Sequence, residues 1–116
     1  MIPIKKFDVL LVNFNPARGT IPDKIRPAIV IQTNSLNKVS HPSTLVIPIS
    51  SKEYKNTSIL RIKILASPQN GLEKHSFVVL DQLTAIDNSK IMQRLGELEN
   101  ISRDAIIYGL KSIFDL

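Results

Sequence analysis

Short apolar runs separated by turn residues are the feature that most limits how this chain can fold. The first run covers residues 9–14 and stops at Asn15-Pro16, and further runs cover residues 28–31, 44–49 and 77–83. Their length and β-branched content are typical of strands, and the prolines, glycines and asparagines between them indicate turns. We therefore predict a single compact domain that is mainly β.

Two further strands are predicted from other signals. Residues 60–64 alternate between polar and apolar side chains, and residues 91–98 are long enough for a sixth strand. Pro27 forces Arg26 into an extended conformation, which places Arg26 at the entrance to the second strand. Pro48 cannot donate to a β-ladder, so we expect an edge or a bulge there.

The end of the chain is predicted to be helical. From Ile101 onward, apolar residues recur at helical spacing rather than in alternation. Asn100 and Ser102 are both candidate caps for this helix. Apolar residues on two sides of the helix suggest a second partner surface. Five or six strands followed by one helix describe a small antiparallel barrel with a helix packed against it.

The net charge of +5 is concentrated in one half of the sequence. Residues 1–55 contain eight lysines and arginines against three acidic residues, whereas residues 56–116 contain seven of each. A localised positive field attracts polyanions, so RNA, DNA or an acidic protein segment are candidate partners. From charge alone, an ordinary basic surface is the simpler explanation.

Several function classes lose support from composition. Cysteine is absent, which excludes disulfides, thiol nucleophiles and cysteine-ligated metals. His41 and His75 have no partner at ligand spacing, so we predict no metal site and no cofactor. No phosphate-binding loop or dinucleotide fingerprint is present. With no tryptophan and few other aromatic residues, we do not expect a sheet that reads RNA by stacking bases.

No apolar run approaches the roughly 20 residues that a membrane span requires. Lys5, Lys6 and Asp8 interrupt any apolar segment of a signal peptide at the start of the chain. We therefore expect a cytoplasmic protein with no membrane partner.

Polar residues gather where the predicted strands begin or end. Arg26 precedes the second strand, Ser50 follows the third, and the pair Asp81-Gln82 interrupts the apolar fifth strand, where we expect it to be buried. A guanidinium binds phosphate with two hydrogen bonds, a hydroxyl can donate to the same oxygens, and a carboxylate can accept a proton from an attacking hydroxyl. This set suits phosphodiester cleavage, although each residue is more often structural at such a position.

Eight short segments follow one another in a definite order from end to end of the chain. They are Asp8-Val9-Leu10-Leu11-Val12, Asn15-Pro16-Ala17-Arg18-Gly19, Arg26-Pro27-Ala28-Ile29-Val30-Ile31-Gln32, Ser35-Leu36-Asn37, Pro48-Ile49-Ser50-Ser51, Gly71-Leu72, Asp81-Gln82 and Ile86-Asp87. In this combination the whole chain resembles the MazF/PemK (Kid) family of toxin endoribonucleases from bacterial type II toxin–antitoxin pairs.

The resemblance implies an SH3-like antiparallel β-barrel with a C-terminal amphipathic helix, with residues 1–116 as one toxin domain that forms a homodimer. It also implies a sequence-specific endoribonuclease that cuts single-stranded RNA, mRNA in particular, without a metal. In that family the 2′-hydroxyl attacks the adjacent phosphodiester and leaves a 2′,3′-cyclic phosphate and a 5′-hydroxyl. A cognate acidic antitoxin is implied as well, and the N-terminal positive charge suits such a partner.

The resemblance also assigns roles to individual residues. Arg26 matches the family's catalytic arginine, Ser50 matches the Thr/Ser that assists it, and Asp81 lies at an acidic position proposed as a base in the Kid branch. RNA-binding contacts are expected from Arg18, Thr20, Lys24, Ser51 and Gln82. A guanidinium stays protonated in proteins and is therefore a poor base. We therefore assign Arg26 to clamping the transition state and protonating the leaving 5′-oxygen, and Asp81 or water to accepting the 2′ proton.

Three positions depart from the family pattern. Ile21 and Thr84 stand where family members commonly have Glu and Arg or Lys, and Val79 replaces an arginine of the Kid branch. These changes should alter which bases are accepted. They also leave open a degenerate domain that only binds RNA or protein. A gyrase-poison-like toxin of the same superfamily is a further alternative, but those relatives end in a Trp-containing tail that this chain lacks.

Overall fold

The computed structural model describes residues 2–15, 24–52 and 60–116, and these form seven strands and two α-helices. The strands are β1 (Asp8–Asn13), β2 (Ile25–Val30), β3 (Ser43–Ser50), β4 (Arg61–Ile64), β5 (Ser76–Val79), β6 (Thr84–Asp87) and β7 (Ile91–Glu97), and the helices are α1 (Asn34–Asn37) and α2 (Asn100–Phe114). The predicted strands and the terminal helix are all present. The predicted fifth strand, residues 77–83, ends early because a 3-10 turn forms at Leu80–Gln82, and β6, which follows that turn, was not predicted.

All strand pairs are antiparallel, and the sheet has the order β4-β5-β3-β2-β1-β7, with β6 added alongside β3. The mainly β fold with a C-terminal helix is therefore confirmed. In the part of the chain that the structure describes, β4 and β7 do not pair with each other, so the strands form an open sheet rather than a closed hydrogen-bonded ring.

The two faces of the sheet bury separate apolar clusters because side chains alternate along each strand. One cluster lies under α2 and includes Val9, Ile29, Ile47, Leu80 and Ile106. The other lies on the opposite face and includes Leu10, Val12, Ala28, Val30 and Val46. The odd and even numbering of these residues follows the register of β1, β2 and β3. Both clusters hold the strands that carry the predicted site.

Helix α2 packs closely against the sheet through Ile106, which is fully buried, and Gly109. A Cβ atom at Gly109 would collide with Cδ1 of Leu80, so glycine permits this approach. The opposite side of the helix is exposed and carries large apolar side chains, among them Ile101 and Tyr108. The prediction of a second apolar face on this helix is confirmed.

Three details differ from the sequence-based predictions. Pro48 lies in a central strand, not an edge: it pairs with Ala28 on one side, while on the other side the pairing with β6 ends at Val46 and the pairing with β5 begins at Ile49. The N-cap of α2 is Glu99, with no side-chain cap hydrogen bond, rather than Asn100 or Ser102. The short helix α1 was not predicted, because four residues are too few for a periodic pattern.

No helix in the described ranges is both long and apolar enough to cross a membrane.

Candidate active site

Strands β2 and β3 bring Arg26 and Ser50 to the same end of the sheet. The two strands pair through Ala28 with Pro48, Ile29 with Ile47 and Val30 with Val46. Continued by two residues, this register sets Arg26 opposite Ser50. Residues at opposed positions of an antiparallel pair have their side chains on the same face. By this extrapolation Arg26 and Ser50, far apart in the sequence, come to the same end and the same face of the two strands.

Arg26 has no compensating partner in the described parts of the chain. Its side chain is half-buried, and its Nε atom is buried without a hydrogen-bond acceptor. No carboxylate among the described residues lies within ion-pair distance of it; the ion pairs that do form involve Lys5, Arg94 and Arg103. A buried donor without an acceptor costs about 1–3 kcal/mol. An unpaired guanidinium is therefore available to an anionic ligand.

A groove of about 500 Å³ opens beside Arg26, and we refer to it as the Arg26 groove. Its charged lining residues within the described ranges are Lys24, Arg26, Lys52, Glu73 and Lys74. Four positive charges thus face one negative charge in a space large enough for a nucleotide-sized ligand. The groove therefore carries a local excess of positive charge, which favours the binding of a polyanion.

Two parts of the chain build most of this groove. The first, which we call the strand-end segment, comprises residues 24–27 and 50–52 at the ends of β2 and β3, although Ser50 itself does not line the groove and Ser51 does. The Ser50 Oγ atom accepts a hydrogen bond of 3.2 Å from the backbone N–H of Lys52. The Ser50 hydroxyl hydrogen remains free to donate to a substrate oxygen.

The second part, the turn segment, comprises residues 67–74 and is fixed by a buried asparagine. Asn70 is fully buried, and its Nδ2 donates to the Leu65 carbonyl at 2.9 Å and to Glu99 Oε1 at 3.1 Å. Its Oδ1 accepts from the backbone N–H groups of Ser67 and Leu72 at 3.1 and 3.0 Å. The Ser67 Oγ donates to Glu99 Oε2 at 2.6 Å. Every polar atom of the Asn70 side chain is therefore bonded within the protein.

The electrostatics of Glu99 follow from this network. Burial raises the pKa of Glu99, but the hydrogen bonds from Ser67 and Asn70, with the charge of Arg103, outweigh burial and leave its pKa below the usual value. The carboxylate form of Glu99 is thus the form that the folded turn segment stabilises.

Two glycines let the turn segment lie directly on β7. Gly71 has a φ of 72°, and a Cβ atom there would collide with the carbonyl oxygen of Leu95. A Cβ atom on Gly96 would collide with the carbonyl oxygen of Gln69. Glycine at position 71 therefore permits the turn to pack closely against β7, and this packing brings the residues that follow Leu72 to the groove.

Other predicted site residues lie elsewhere. Asp81 is exposed, not buried as predicted, and does not line the groove, because the 3-10 turn after β5 directs Leu80 into the core beneath α2 instead. Gln82 is half-buried and is also absent from the groove lining. Arg18, Thr20 and the departing position Ile21 lie outside the described residues.

The other two positions that depart from the family pattern lie within the described residues. Val79 is buried in β5, and Thr84 is half-buried in β6. Neither lines the Arg26 groove. An arginine at position 79 would have to be accommodated in the core, so valine at this position fits the packing of this chain.

Five polar residues that line the groove were not among the predicted site residues, namely Lys52, Glu73, Lys74, Ser76 and Gln93. Lys52 adjoins the Pro48-Ile49-Ser50-Ser51 segment, and Glu73 and Lys74 follow Gly71-Leu72, so each of these three lies beside a motif already singled out. Gln93 had no such signal. Its place depends on the antiparallel pairing of β1 with β7, in which it lies opposite Leu11.

The histidines have ordinary structural surroundings. Nδ1 of His75 accepts the backbone N–H of Ala66 at 2.9 Å, and the His41 carbonyl accepts from Asn88 at 2.6 Å. Within residues 2–15, 24–52 and 60–116, no cluster of three or more His, Asp or Glu side chains has a spacing suited to a metal ion.

Comparison with known proteins identifies the group to which this geometry corresponds. The sequence model of PemK-like, MazF-like toxins of type II toxin–antitoxin systems matches residues 5–114. The chain is 26% identical over 108 residues to endoribonuclease EndoA of Bacillus subtilis strain 168, which covers 93% of this chain and 91% of that protein.

Solved structures share the fold. MazF from Deinococcus radiodurans superposes with a TM-score of 0.82 at 19% identity and covers 100% of both chains. An endoribonuclease from a mycobacterial species, solved in complex with its cognate antitoxin, superposes with a TM-score of 0.77 at 13% identity and covers 97% of this chain and 96% of its own. At these identities the structural likeness establishes the arrangement of strands and helix.

Proposed function

The chain belongs to the family of PemK-like, MazF-like toxins of type II toxin–antitoxin systems, and we propose that it is a sequence-specific endoribonuclease that cuts single-stranded RNA at the Arg26 groove. The relative from B. subtilis is an endoribonuclease and aligns over most of both chains, which supports the same activity here. We propose mRNA as the substrate and the cytoplasm as the location.

The guanidinium of Arg26 carries this proposal. Its Nε atom is buried without an acceptor, it forms no ion pair with the described residues, and the groove beside it holds three lysines. A phosphodiester would supply the missing negative charge. The planar guanidinium can then hold two phosphate oxygens and stabilise the charge that builds on them as the phosphorus becomes five-coordinate.

In the proposed reaction the 2′-hydroxyl oxygen attacks the adjacent phosphorus, and the bond from phosphorus to the 5′-oxygen breaks. The 2′ proton leaves to an acceptor, Arg26 gives a proton to the departing 5′-oxygen, and Ser50 donates a hydrogen bond to a phosphate oxygen. The products are a 2′,3′-cyclic phosphate and a 5′-hydroxyl. These steps use side chains of the protein and require no metal or cofactor.

The acceptor of the 2′ proton is assigned to Asp81 or to water. Asp81 does not line the groove of its own chain. It can take this role only if a second protomer brings it there, so in the monomer water is the acceptor. The same reasoning applies to Gln82 as an RNA contact. Lys24 and Ser51 line the groove directly and are the RNA-binding residues that its geometry supports.

We propose that the active form is a homodimer. Exposed apolar side chains on α2 and just after it, including Ile101, Tyr108, Phe114 and Leu116, are 81%, 75%, 53% and 88% accessible, and a second protomer would bury them. The cognate partner is an acidic antitoxin segment that competes with RNA for the positive groove. The mycobacterial neighbour solved with its cognate antitoxin supports a partner of this kind.

Two other functions predict different behaviour. A gyrase-poison-like toxin would act through α2, and a degenerate domain would bind RNA without cutting it. The unpaired arginine in a groove of positive charge favours cleavage over both, because neither alternative needs an uncompensated guanidinium at that place.

Incubation of the purified protein with a long RNA in EDTA, followed by mapping of the cut sites and of their end chemistry, tests the proposal. We expect cuts at a short sequence with 2′,3′-cyclic phosphate and 5′-hydroxyl ends. Arg26→Ala should remove the cuts, whereas Lys38→Ala, at an exposed position outside the groove, should keep them. An intact RNA, or cuts that vanish with EDTA, would contradict the proposal.

A further inference from the structure

Glu73 is the one carboxylate among the described residues that line the Arg26 groove. Its side chain is exposed, and it forms no ion pair or side-chain hydrogen bond with any part of the chain that the structure describes. It therefore does not serve to neutralise Lys74 or Lys52. A lone carboxylate in a groove that binds a polyanion repels phosphate, so its place there calls for a different ligand group.

The backbone that carries Glu73 is held rigidly. Leu72, the preceding residue, is buried, and its N–H donates to Asn70 Oδ1 at 3.0 Å. Gly71 is fixed against the carbonyl oxygen of Leu95. A side chain on such a support meets its ligand with little loss of backbone entropy, as a residue that discriminates between ligands requires.

The chemistry of RNA bases supplies a suitable ligand group. Cytosine, adenine and guanine each present an exocyclic amine that can donate a hydrogen bond to a carboxylate, and unpaired bases expose these edges to protein. Uracil presents carbonyl oxygens on both sides of its one N–H group, and these oxygens repel a carboxylate. A carboxylate next to a phosphate clamp can thus choose among bases without binding the backbone.

We propose that Glu73 is a specificity-determining residue that accepts a hydrogen bond from the exocyclic amine of an RNA base and disfavours uracil at that subsite. This inference rests on the proposed function, because it takes the Arg26 groove to be the RNA site. Arg26 and the lysines hold phosphates, while Glu73 reads one base beside them.

Binding of non-cleavable RNA tests this role without depending on catalysis. The probes are 2′-O-methyl dodecamers of cytidine and of uridine. These two pyrimidines were chosen because cytosine presents an exocyclic amine where uracil presents a carbonyl oxygen. We expect the wild-type chain to bind oligo-C roughly five- to tenfold more tightly than oligo-U. In Glu73→Gln the amide can donate to uracil as well as accept from cytosine, so the ratio should fall to about one.

Asp87→Asn is the matched control, since it removes one negative charge at an exposed position of β6 outside the groove. It should leave the ratio of the two affinities unchanged. The proposal is overturned if Glu73→Gln tightens both oligomers equally, which would make Glu73 a simple repulsive charge. It is also overturned if wild type shows no preference or binds neither oligomer. Cleavage of unmodified RNA is scored separately, so a wild-type protein that prefers oligo-C but cuts nothing contradicts the proposed function alone.

Discussion

The strand-end segment and the turn segment border the same groove but differ in whether their buried polar side chains find hydrogen-bond partners within the protein. The turn segment meets all the hydrogen-bonding needs of its buried side chain, Asn70, within the protein. The strand-end segment leaves Arg26 Nε buried without a partner. Where the protein supplies every partner, a residue serves the fold. Where it leaves a charged donor unpaired at a cost in stability, a ligand must supply the partner.

We therefore expect substitutions in the two segments to affect stability and activity differently. A change in the turn segment should lower stability first and activity second. A change in the strand-end segment should lower activity with little effect on stability.

The largest effect on stability is expected from Asn70→Ala. It leaves the Leu65 carbonyl and the N–H groups of Ser67 and Leu72 without a partner. Each buried group left unpaired costs roughly 1–3 kcal/mol, so we expect a loss of about 3 kcal/mol in the free energy of unfolding by urea denaturation. Gln69→Ala, which removes a single 3.3 Å hydrogen bond from an exposed side chain, should cost less than about 1 kcal/mol. Equal losses would show that the hydrogen bonds of Asn70 do not hold the turn segment in place.

Ser50→Ala should show the opposite pattern. Loss of one hydrogen-bond donor to the transition state lowers kcat by roughly 10- to 100-fold, toward the lower end of what oxyanion donors supply. The folded state loses only the bond from the Lys52 N–H at an exposed position, so the unfolding midpoint should shift little. Single-turnover cleavage and urea denaturation on the same preparation measure both. A large fall in stability together with unchanged cleavage would assign Ser50 to the fold.

The lysines of the groove should contribute to RNA affinity only through contacts with phosphate groups. Lys52→Gln and Lys74→Gln should each reduce the slope of log affinity against log salt by about 0.7 for single-stranded RNA. Lys38→Gln, outside the groove, should leave the slope unchanged. Titrations of a fluorescent 2′-O-methyl RNA at several salt concentrations measure these slopes, and equal slopes in all three variants would place RNA on another surface.

The smallest expected effect is a pH dependence of the turn segment. The pKa of Glu99 is lower in the folded protein than its ordinary value of about 4.3. Its contribution to stability is therefore complete above the unfolded pKa and is lost as the pH falls through the folded pKa. Between pH 5 and roughly pH 3, Glu99→Gln should lose less stability than wild type. A Glu99→Gln curve parallel to wild type would show that the network does not depend on the carboxylate.

The strand pattern could be predicted because it depends on local signals. β-Branched runs, the Arg26-Pro27 entrance and the turn at Asn15-Pro16 each act over a few residues, and β1, β2 and β3 follow from them. Arg26 and Ser50 were predicted from their motifs, and the antiparallel pairing of β2 with β3 brings the two residues to the same end of these strands.

The rest of the site depends on contacts distant in sequence. Glu73 and Lys74 follow a turn that is anchored in part by the hydrogen bond from Asn70 to Glu99, 29 residues away, and no local pattern encodes that contact. Asp81 was predicted to be buried from its apolar neighbours, but a 3-10 turn directs Leu80 inward and leaves Asp81 exposed. Pro48 indicated an edge or a bulge from local chemistry; the strand is central, and the change of partner from β6 to β5 leaves Pro48 without a ladder partner on that side.

The claim on which the account depends is that Arg26 acts as a planar clamp with two hydrogen bonds to the phosphate. Arg26→Lys keeps the positive charge but removes the planar pair of donors, so single-turnover cleavage by this variant tests the claim directly, with RNA affinity measured alongside. We expect affinity to stay within roughly threefold of wild type, because the charge is kept, and the cleavage rate to fall by about 100-fold or more. A lysine variant that cuts RNA at a near-normal rate would contradict the clamp.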